Sequence, residues 1–239
     1  MNACSPDRKN KNHTGCFIDK ELDVIAKVFN LDSSKDVYKQ LLDCKSCDLQ
    51  DKFVVEQLQS VLGYNIHKHV FKPPMHRDRF EWLSTTDIDR IMDQYMNFDY
   101  SFKYLGTYPS DILDLDYTLP KVTHYKKLGM VLNLDPHNKP GSHWVAVYID
   151  PLISTVEYFD SLGDLPTRNI KKVLEYLCKQ LDCDLNIHSK KFQLKDSECG
   201  IYSVYYIVSR ILGFTPNQIK ENVIRDTQMN KYRDVLYRS

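Results

Sequence analysis

The stretch that most constrains this chain of 239 residues is Gln193-Leu194-Lys195-Asp196-Ser197-Glu198-Cys199-Gly200-Ile201-Tyr202. Beyond Cys199 the apolar residues Val204, Ile207, Val208 and Ile211 recur at offsets of three and four, so a helix begins at or just before the thiol. Asp196 or Ser197 is expected to cap its first turn. A helix mouth presents unpaired backbone N–H groups and the positive end of the macrodipole, which favours thiolate over thiol. Cys199 is therefore placed as a nucleophile, and a nucleophilic cysteine needs a base and a group that orients the base.

Both can be sought upstream. Gly141-Ser142-His143-Trp144-Val145-Ala146-Val147-Tyr148-Ile149-Asp150 reads as a turn followed by a buried strand, with His143 at its start. Val156-Glu157-Tyr158-Phe159-Asp160-Ser161-Leu162-Gly163 reads as a second strand that ends at an acid. Only the short connection holding Pro151 and Ser154 lies between them, so they are expected to form a hairpin. Antiparallel pairing then sets the start of one beside the end of the other and makes His143 and Asp160 neighbours. His137, in the loop Asp135 to Gly141, lacks that strand context and is the weaker candidate for a base.

Four elements now stand in a fixed order: His143-Trp144, Asp160-Ser161, Gln193, and the Glu198-to-Tyr202 segment. In this order and spacing they resemble the ubiquitin-like-protein (SUMO) protease family of cysteine peptidases. They are most similar to its viral branch, whose members cleave structural polyproteins of large DNA viruses. The resemblance runs over about residues 80 to 212. It implies an α+β, papain-like fold with a central mixed sheet flanked by helices, Cys199 opening the central helix, and His143 and Asp160 on adjacent strands. It also implies that the Gln193 side-chain amide and the Cys199 backbone N–H hold the oxyanion.

In this family two tryptophans clamp a narrow tunnel that admits a Gly-Gly tail. Trp82 and Trp144, the only tryptophans here, stand at the matching positions. Thr85 departs from the acidic residue common at its place. The resemblance therefore implies a polypeptide substrate with a Gly-Gly motif, either a viral polyprotein or a ubiquitin-like protein, acted on in the host cytoplasm, the viral factory and the virion. No cofactor is implied. Two other readings are an isopeptidase acting on host ubiquitin-like conjugates and an inactive module that binds ubiquitin-like proteins. Acyl transfer to another acceptor is a further, weaker reading.

Charge and composition exclude little but do narrow the partners. Thirty-two basic residues balance thirty-two acidic ones, so no global field steers the chain to nucleic acid or membrane. No apolar run approaches the roughly 18 residues of a membrane span, and the polar start Met1-Asn2-Ala3-Cys4-Ser5 does not read as a signal peptide. Seven cysteines, an odd number, do not suggest a secreted disulfide framework, and a reducing compartment is expected. Cys44 and Cys47 form a C-x-x-C that zinc would have to share with Cys4, His13 or Cys16. A second such pair is missing, so no metal is expected. Cys178 and Cys183 are read as structural.

Residues 1–16, polar and without periodicity, are expected to be a flexible terminus. Residues 17–63 are expected to form a small helical arm of three helices. Their faces are marked by Leu22, Ile25, Ala26 and Phe29, then Val37, Leu41 and Leu42, then Phe53, Val54, Leu58 and Val61. The catalytic domain is expected over 64–239. It begins with an alternating strand from Tyr64 to Val70 that carries His67 and His69 as surface histidines. A turn at Trp82 feeds a helix with Ile88, Ile91, Met92 and Tyr95 on one face, Leu128 to Leu134 form a buried strand, and Thr167 to Leu181 an amphipathic helix. The end of the chain, Thr215 to Ser239, reads as a polar helical tail with no chemistry.

Overall fold

The computed structural model of the chain describes residues 4–6, 16–43, 52–66, 70–183 and 185–238. They fall into two compact units, Met1–Pro74 with Tyr237–Ser239, and Met75–Leu236. The division lies at Pro74–Met75, later in the chain than the boundary expected after Gly63.

In the first unit, α1 (Asp19–Phe29) opens where the Glu21 carboxylate reaches back to the Ile18 N–H at 2.8 Å, and buries Ile25 and Ala26. The second helix, α2 (Val37–Asp43), starts behind Asp36, whose carboxylate accepts the Lys39 N–H at 3.0 Å. The third, α3 (Lys52–Leu62), ends at Gly63, whose φ of +80° only glycine adopts without strain. Leu58 lies on its buried face, whereas Val61, expected there, is 62% exposed and Leu62 is buried instead. With Phe17, Ile25, Leu41, Ile66 and Val70, these helices enclose one small apolar core.

Three sequence expectations change in this unit. Part of the terminus is ordered: the Ser5 N–H donates to Val70 at 2.8 Å, Cys4 pairs with Phe71, and Cys4 is joined to Cys16 by a disulfide. That bond also removes both sulfurs as zinc-ligating thiolates. The strand expected from Tyr64 to Val70 is absent at its described positions: Tyr64 to Ile66 join no sheet, and the Val70 N–H donates to the Ile66 carbonyl at 2.8 Å, the i to i−4 pattern of a helix. His13, Cys44, Cys47, His67 and His69 lie outside the described residues.

The second unit is α+β. Helix α4 (Thr85–Phe98) is opened by a capping box in which Ser84 and Asp87 bond each other's backbone N–H. Strands β1 (Phe102–Tyr108), β2 (Lys127–Asn133), β3 (Trp144–Asp150), β4 (Thr155–Phe159) and β5 (Leu185–His188) form one sheet in that order. β1 runs parallel to β2, β2 and β4 each run antiparallel to β3, and β5 is parallel to β4. β1, not anticipated in the sequence, carries a register shift between Tyr104 and Thr107, with Gly106 at φ +123° between them. That irregularity breaks the alternation by which a strand is recognised.

One face of the sheet meets α5 (Arg168–Leu181), whose Ile170, Val173, Leu174 and Leu177 pack on Val145, Val147, Ile149, Val156 and Tyr158. The other meets α6 (Cys199–Ile211), whose Tyr206 stacks on Phe159 with ring centroids 4.4 Å apart. Gly129 of β2 permits this close approach, because a Cβ there would lie 2.9 Å from Ile207. A buried ion pair ties the same helix to β4: Arg210 donates to both Glu157 oxygens at 2.8 and 2.9 Å, and Tyr206 donates to one of them at 2.8 Å. Two further helices, α7 (Pro216–Glu221) and α8 (Asp226–Leu236), complete the unit. The central mixed sheet flanked by helices is the architecture expected from the sequence.

Candidate active site

Cys199 is the first residue of α6 and is almost wholly buried. Being in the first turn, its backbone N–H has no carbonyl to bond within the helix. The residue before it, Glu198, occupies the cap position at φ −107° and ψ 6° with no side-chain cap bond, so neither Asp196 nor Ser197 caps the helix as expected. The reason lies in the buried surroundings. Asn230 donates to Glu198 Oε1 at 2.8 Å, Arg233 Nε donates to Oε2 at 3.2 Å, and the Ser197 hydroxyl points to the same carboxylate at 3.2 Å.

His143 enters the site from the opposite wall, one residue before β3. Its loop is shaped on Asn133, whose side-chain oxygen accepts the Asp135 and Ser142 N–H groups at 2.9 and 3.2 Å. Gly141 turns against that side chain at φ +94°, where any Cβ would come within 2.9 Å of Asn133 Nδ2. The Leu134 N–H then closes onto the His143 carbonyl at 2.9 Å, which sets the ring's starting point.

The imidazole bridges two groups. Its Nε2 lies 2.7 Å from Asp160 Oδ1, just beyond β4, and the Cys199 side chain is near enough to act on the ring alongside that carboxylate. Asp160 is fully buried and held by the Leu162 N–H at 2.8 Å and the Tyr158 hydroxyl at 3.4 Å. With Nε2 given to Asp160, Nδ1 is the nitrogen left for the sulfur. Burial opposes a charged imidazole, but the bonds to Asp160 and Cys199 outweigh it and push the His143 pKa up to about 9. The ring is therefore protonated at neutral pH, as a thiolate–imidazolium pair requires.

Gln193 is oriented just as firmly. Its N–H and that of Phe192 both donate to the Ser161 carbonyl at 2.8 Å, and the Ser161 hydroxyl donates to Gln193 Oε1 at 2.7 Å. With the oxygen so held, the amide nitrogen faces the other way, where it donates to the Lys195 carbonyl. An amide nitrogen carries two hydrogens, so a second donor remains for a developing oxyanion.

Trp144 is buried with its indole N–H bonded to the Leu83 carbonyl at 2.8 Å, while Trp82 is 47% exposed. The two face a cleft of about 490 Å³ whose other walls include Tyr108, Asp135, His137 and Pro140. Neither His143 nor Cys199 lines the cleft; Leu83 stands between, its side chain lying against Gly200. His137 is clipped to Asp111 at 2.7 Å as part of the cleft wall and takes no part in the His143 cluster. The structure thus brings Cys199, His143 and Asp160 together and sets the tryptophans on one cleft. The sequence reading missed Ser161 as the holder of Gln193, and missed Asn230 and Arg233 behind Glu198. Ser161 carried the one available signal, its place beside Asp160.

Cys178 and Cys183 lie apart from this site, with sulfurs 2.8 Å from each other. Among the described residues, no group of three or more His, Cys, Asp or Glu side chains is placed to hold a metal ion.

Residues 118–238 match the family model described as the Ulp1 protease family, C-terminal catalytic domain. A protein of Acanthamoeba polyphaga mimivirus named as a thiol protease is 26% identical, across the whole of this chain and 94% of its own length. A protein of African swine fever virus named as a SUMO-1 cysteine protease is 29% identical over 65% of this chain and 59% of its own length. The crystal structure of the African swine fever virus protease superposes with a TM-score of 0.73 at 21% identity, covering 99% of this chain and 96% of that one. At that identity the superposition establishes a shared fold.

Proposed function

The chain belongs to the Ulp1 protease family and is a cysteine peptidase, and from that premise we propose that it is an endopeptidase cleaving viral structural polyprotein after Gly-Gly-type sites during virion maturation. The observation that carries this reading is the imidazole of His143, bonded to Asp160 at 2.7 Å and acted on by Cys199 at a helix mouth. Such substrates would have the enzyme act in the host cytoplasm, in viral factories, and inside the virion.

Cys199 gives its proton to His143, and Asp160 holds the resulting imidazolium in place. The thiolate adds to the scissile carbonyl, and the oxyanion is met by the Gln193 amide and the Cys199 backbone N–H. One such donor typically contributes about 3 kcal/mol, or ~100- to 1000-fold in rate. The tetrahedral adduct collapses to a thioester as His143 protonates the departing amine. Water, deprotonated by His143, then hydrolyses the thioester and restores the thiol. The proposed preference for glycine is supported by Trp82 and Trp144 both lining one cleft, where a residue without a side chain would pass most easily between two bulky indoles.

A second substrate is favoured by one observation, the name SUMO-1 cysteine protease carried by the African swine fever virus relatives. On that reading the same site removes ubiquitin-like proteins from host conjugates. A panel separates the two: short Gly-Gly-Xaa peptides beside folded SUMO and ubiquitin reporters of equal leaving group. We expect the peptides to be cleaved with kcat/KM at least comparable to the folded reporters. A strong preference for a folded reporter would replace the polyprotein reading, and no cleavage of either would favour a module that only binds.

A further inference from the structure

The site depends on three segments far apart in the chain: the stretch entering Trp82, the Gln193 loop, and the mouth of α6. All three are bonded to one face of α8, the part of the chain in which the sequence shows no chemistry. Asp226, Asn230 and Arg233 follow one another at offsets of four and three, which stacks them along one side of a helix. Asp226 accepts the Leu194 N–H at 3.0 Å, next to Gln193, and the Tyr202 hydroxyl of α6 at 3.1 Å. Asn230 donates to Glu198 at 2.8 Å and to the Arg79 carbonyl at 3.2 Å. The Arg79 guanidinium answers by bonding Asn230 Oδ1 at 2.7 Å and both oxygens of Asp234 at 2.8 Å.

Arg233 is the centre of the arrangement. It is fully buried, pairs with the buried Glu198 at 3.2 Å, and donates through Nη2 to the Glu81 carbonyl at 2.9 Å. Glu81 immediately precedes Trp82, and Glu198 immediately precedes Cys199. A single guanidinium therefore spans the outer tryptophan and the nucleophile. Its Nη1 is buried with no hydrogen-bond partner. An arginine kept in the interior with one nitrogen unsatisfied is a poor way to stabilise a fold, since an ion pair of this kind is commonly replaced by apolar groups without loss.

We propose that α8 sets the spacing of the active site, with Arg233, Asn230 and Asp226 as positioning residues that hold the outer tryptophan, the oxyanion amide and the nucleophile in mutual register. The proposal rests on the protease reading above. It assigns two separable tasks to Arg233: its bond to Glu198 fixes the thiolate and governs kcat, and its bond to Glu81 fixes Trp82 and governs KM.

Two variants test this in the full chain. Arg233→Lys keeps a cation for Glu198 but, being a compact point charge, cannot reach the Glu81 carbonyl at the same time. It is expected to raise KM for a Gly-Gly peptide about fivefold or more while kcat stays within about twofold. Arg233→Met combined with Glu198→Gln removes both buried charges together and so avoids leaving either one alone. It is expected to melt close to the wild type yet to lose about tenfold or more in kcat, with a matching fall in the rate at which iodoacetamide alkylates Cys199. Wild-type kinetics in the double variant, or a Lys variant whose kcat and KM are both unchanged after active-site titration, would overturn the proposal. Alkylation needs no substrate, so failure of the Gly-Gly reading alone would leave the alkylation result intact and be recognised as such.

Discussion

At the scale of single residues, the central quantity is the charge on His143. Its pKa, pushed up to about 9 by Asp160 and Cys199 against burial, means that the imidazolium is present below that pH and lost above it. A rate that depends on the pair must therefore fall along an alkaline limb near pH 9 in kcat/KM. In Asp160→Asn the anionic partner is gone, so the limb should move to lower pH and the rate fall by about 10³-fold or more, as for orienting acids in similar triads. A pH–rate profile of the two proteins checks both effects; an unmoved limb would mean that Asp160 does not govern the ring. The nucleophile, base and acid were legible in the sequence because each sits at the junction of a periodic segment with a turn. The cap of α6 was not, because a residue remote in sequence, Arg233, draws Glu198 into the interior, and no local pattern announces that.

At the scale of elements, the hairpin of β3 and β4 and the helix α6 were readable because apolar periodicity and length agreed in each. β1 escaped because Gly106 and a register shift interrupt its alternation. The strand expected near Tyr64 failed for the opposite reason: alternation was present, but the Val70 N–H bonds the Ile66 carbonyl rather than a neighbouring strand. The seam between α6 and the segment before α4 gives a sharp test. A Cβ on Gly200 would lie 3.0 to 3.3 Å from three side-chain carbons of Leu83, and the Leu83 carbonyl also holds the Trp144 indole. Gly200→Ala should therefore displace Leu83 towards the tryptophan cleft, lower stability by about 1–3 kcal/mol, and raise KM more than it lowers kcat. Thermal melting and steady-state kinetics read the two effects. Unchanged KM would show that the cleft wall does not depend on this contact.

At the scale of the whole molecule, the fold was legible as a class and the disulfide was not. An odd number of cysteines spread over the chain hid the Cys4–Cys16 bond, which forms between positions brought together by the folding of the first unit. The catalytic unit has a second global property, a set of buried tyrosines. Burial pushes Tyr95 up to about 12 and holds Tyr104, Tyr206 and Tyr232 well above the usual phenol range. Unfolded chains ionise these phenols near pH 10 while the folded unit keeps them neutral. The stability they contribute is thus complete below about pH 10 and drains away as the pH rises towards the folded values. Denaturant midpoints should accordingly fall steeply from about pH 10 upward, with exposed phenols such as Tyr100 ionising in the intact fold and a further share of the tyrosinate absorbance appearing only as the protein unfolds; ionisation of every phenol in the intact fold would contradict the burial described.

The central claim is that Cys199 attacks while His143 and Asp160 support it, and covalent capture tests that most directly. A peptide ending in Gly-Gly with an electrophilic group in place of the scissile bond should form one adduct, mapped by mass spectrometry to Cys199. The adduct should be absent in Cys199→Ser, slow sharply in His143→Ala, and leave Cys178 and Cys183 unmodified. An adduct on another cysteine, or undiminished peptide cleavage by Cys199→Ser, would contradict the account.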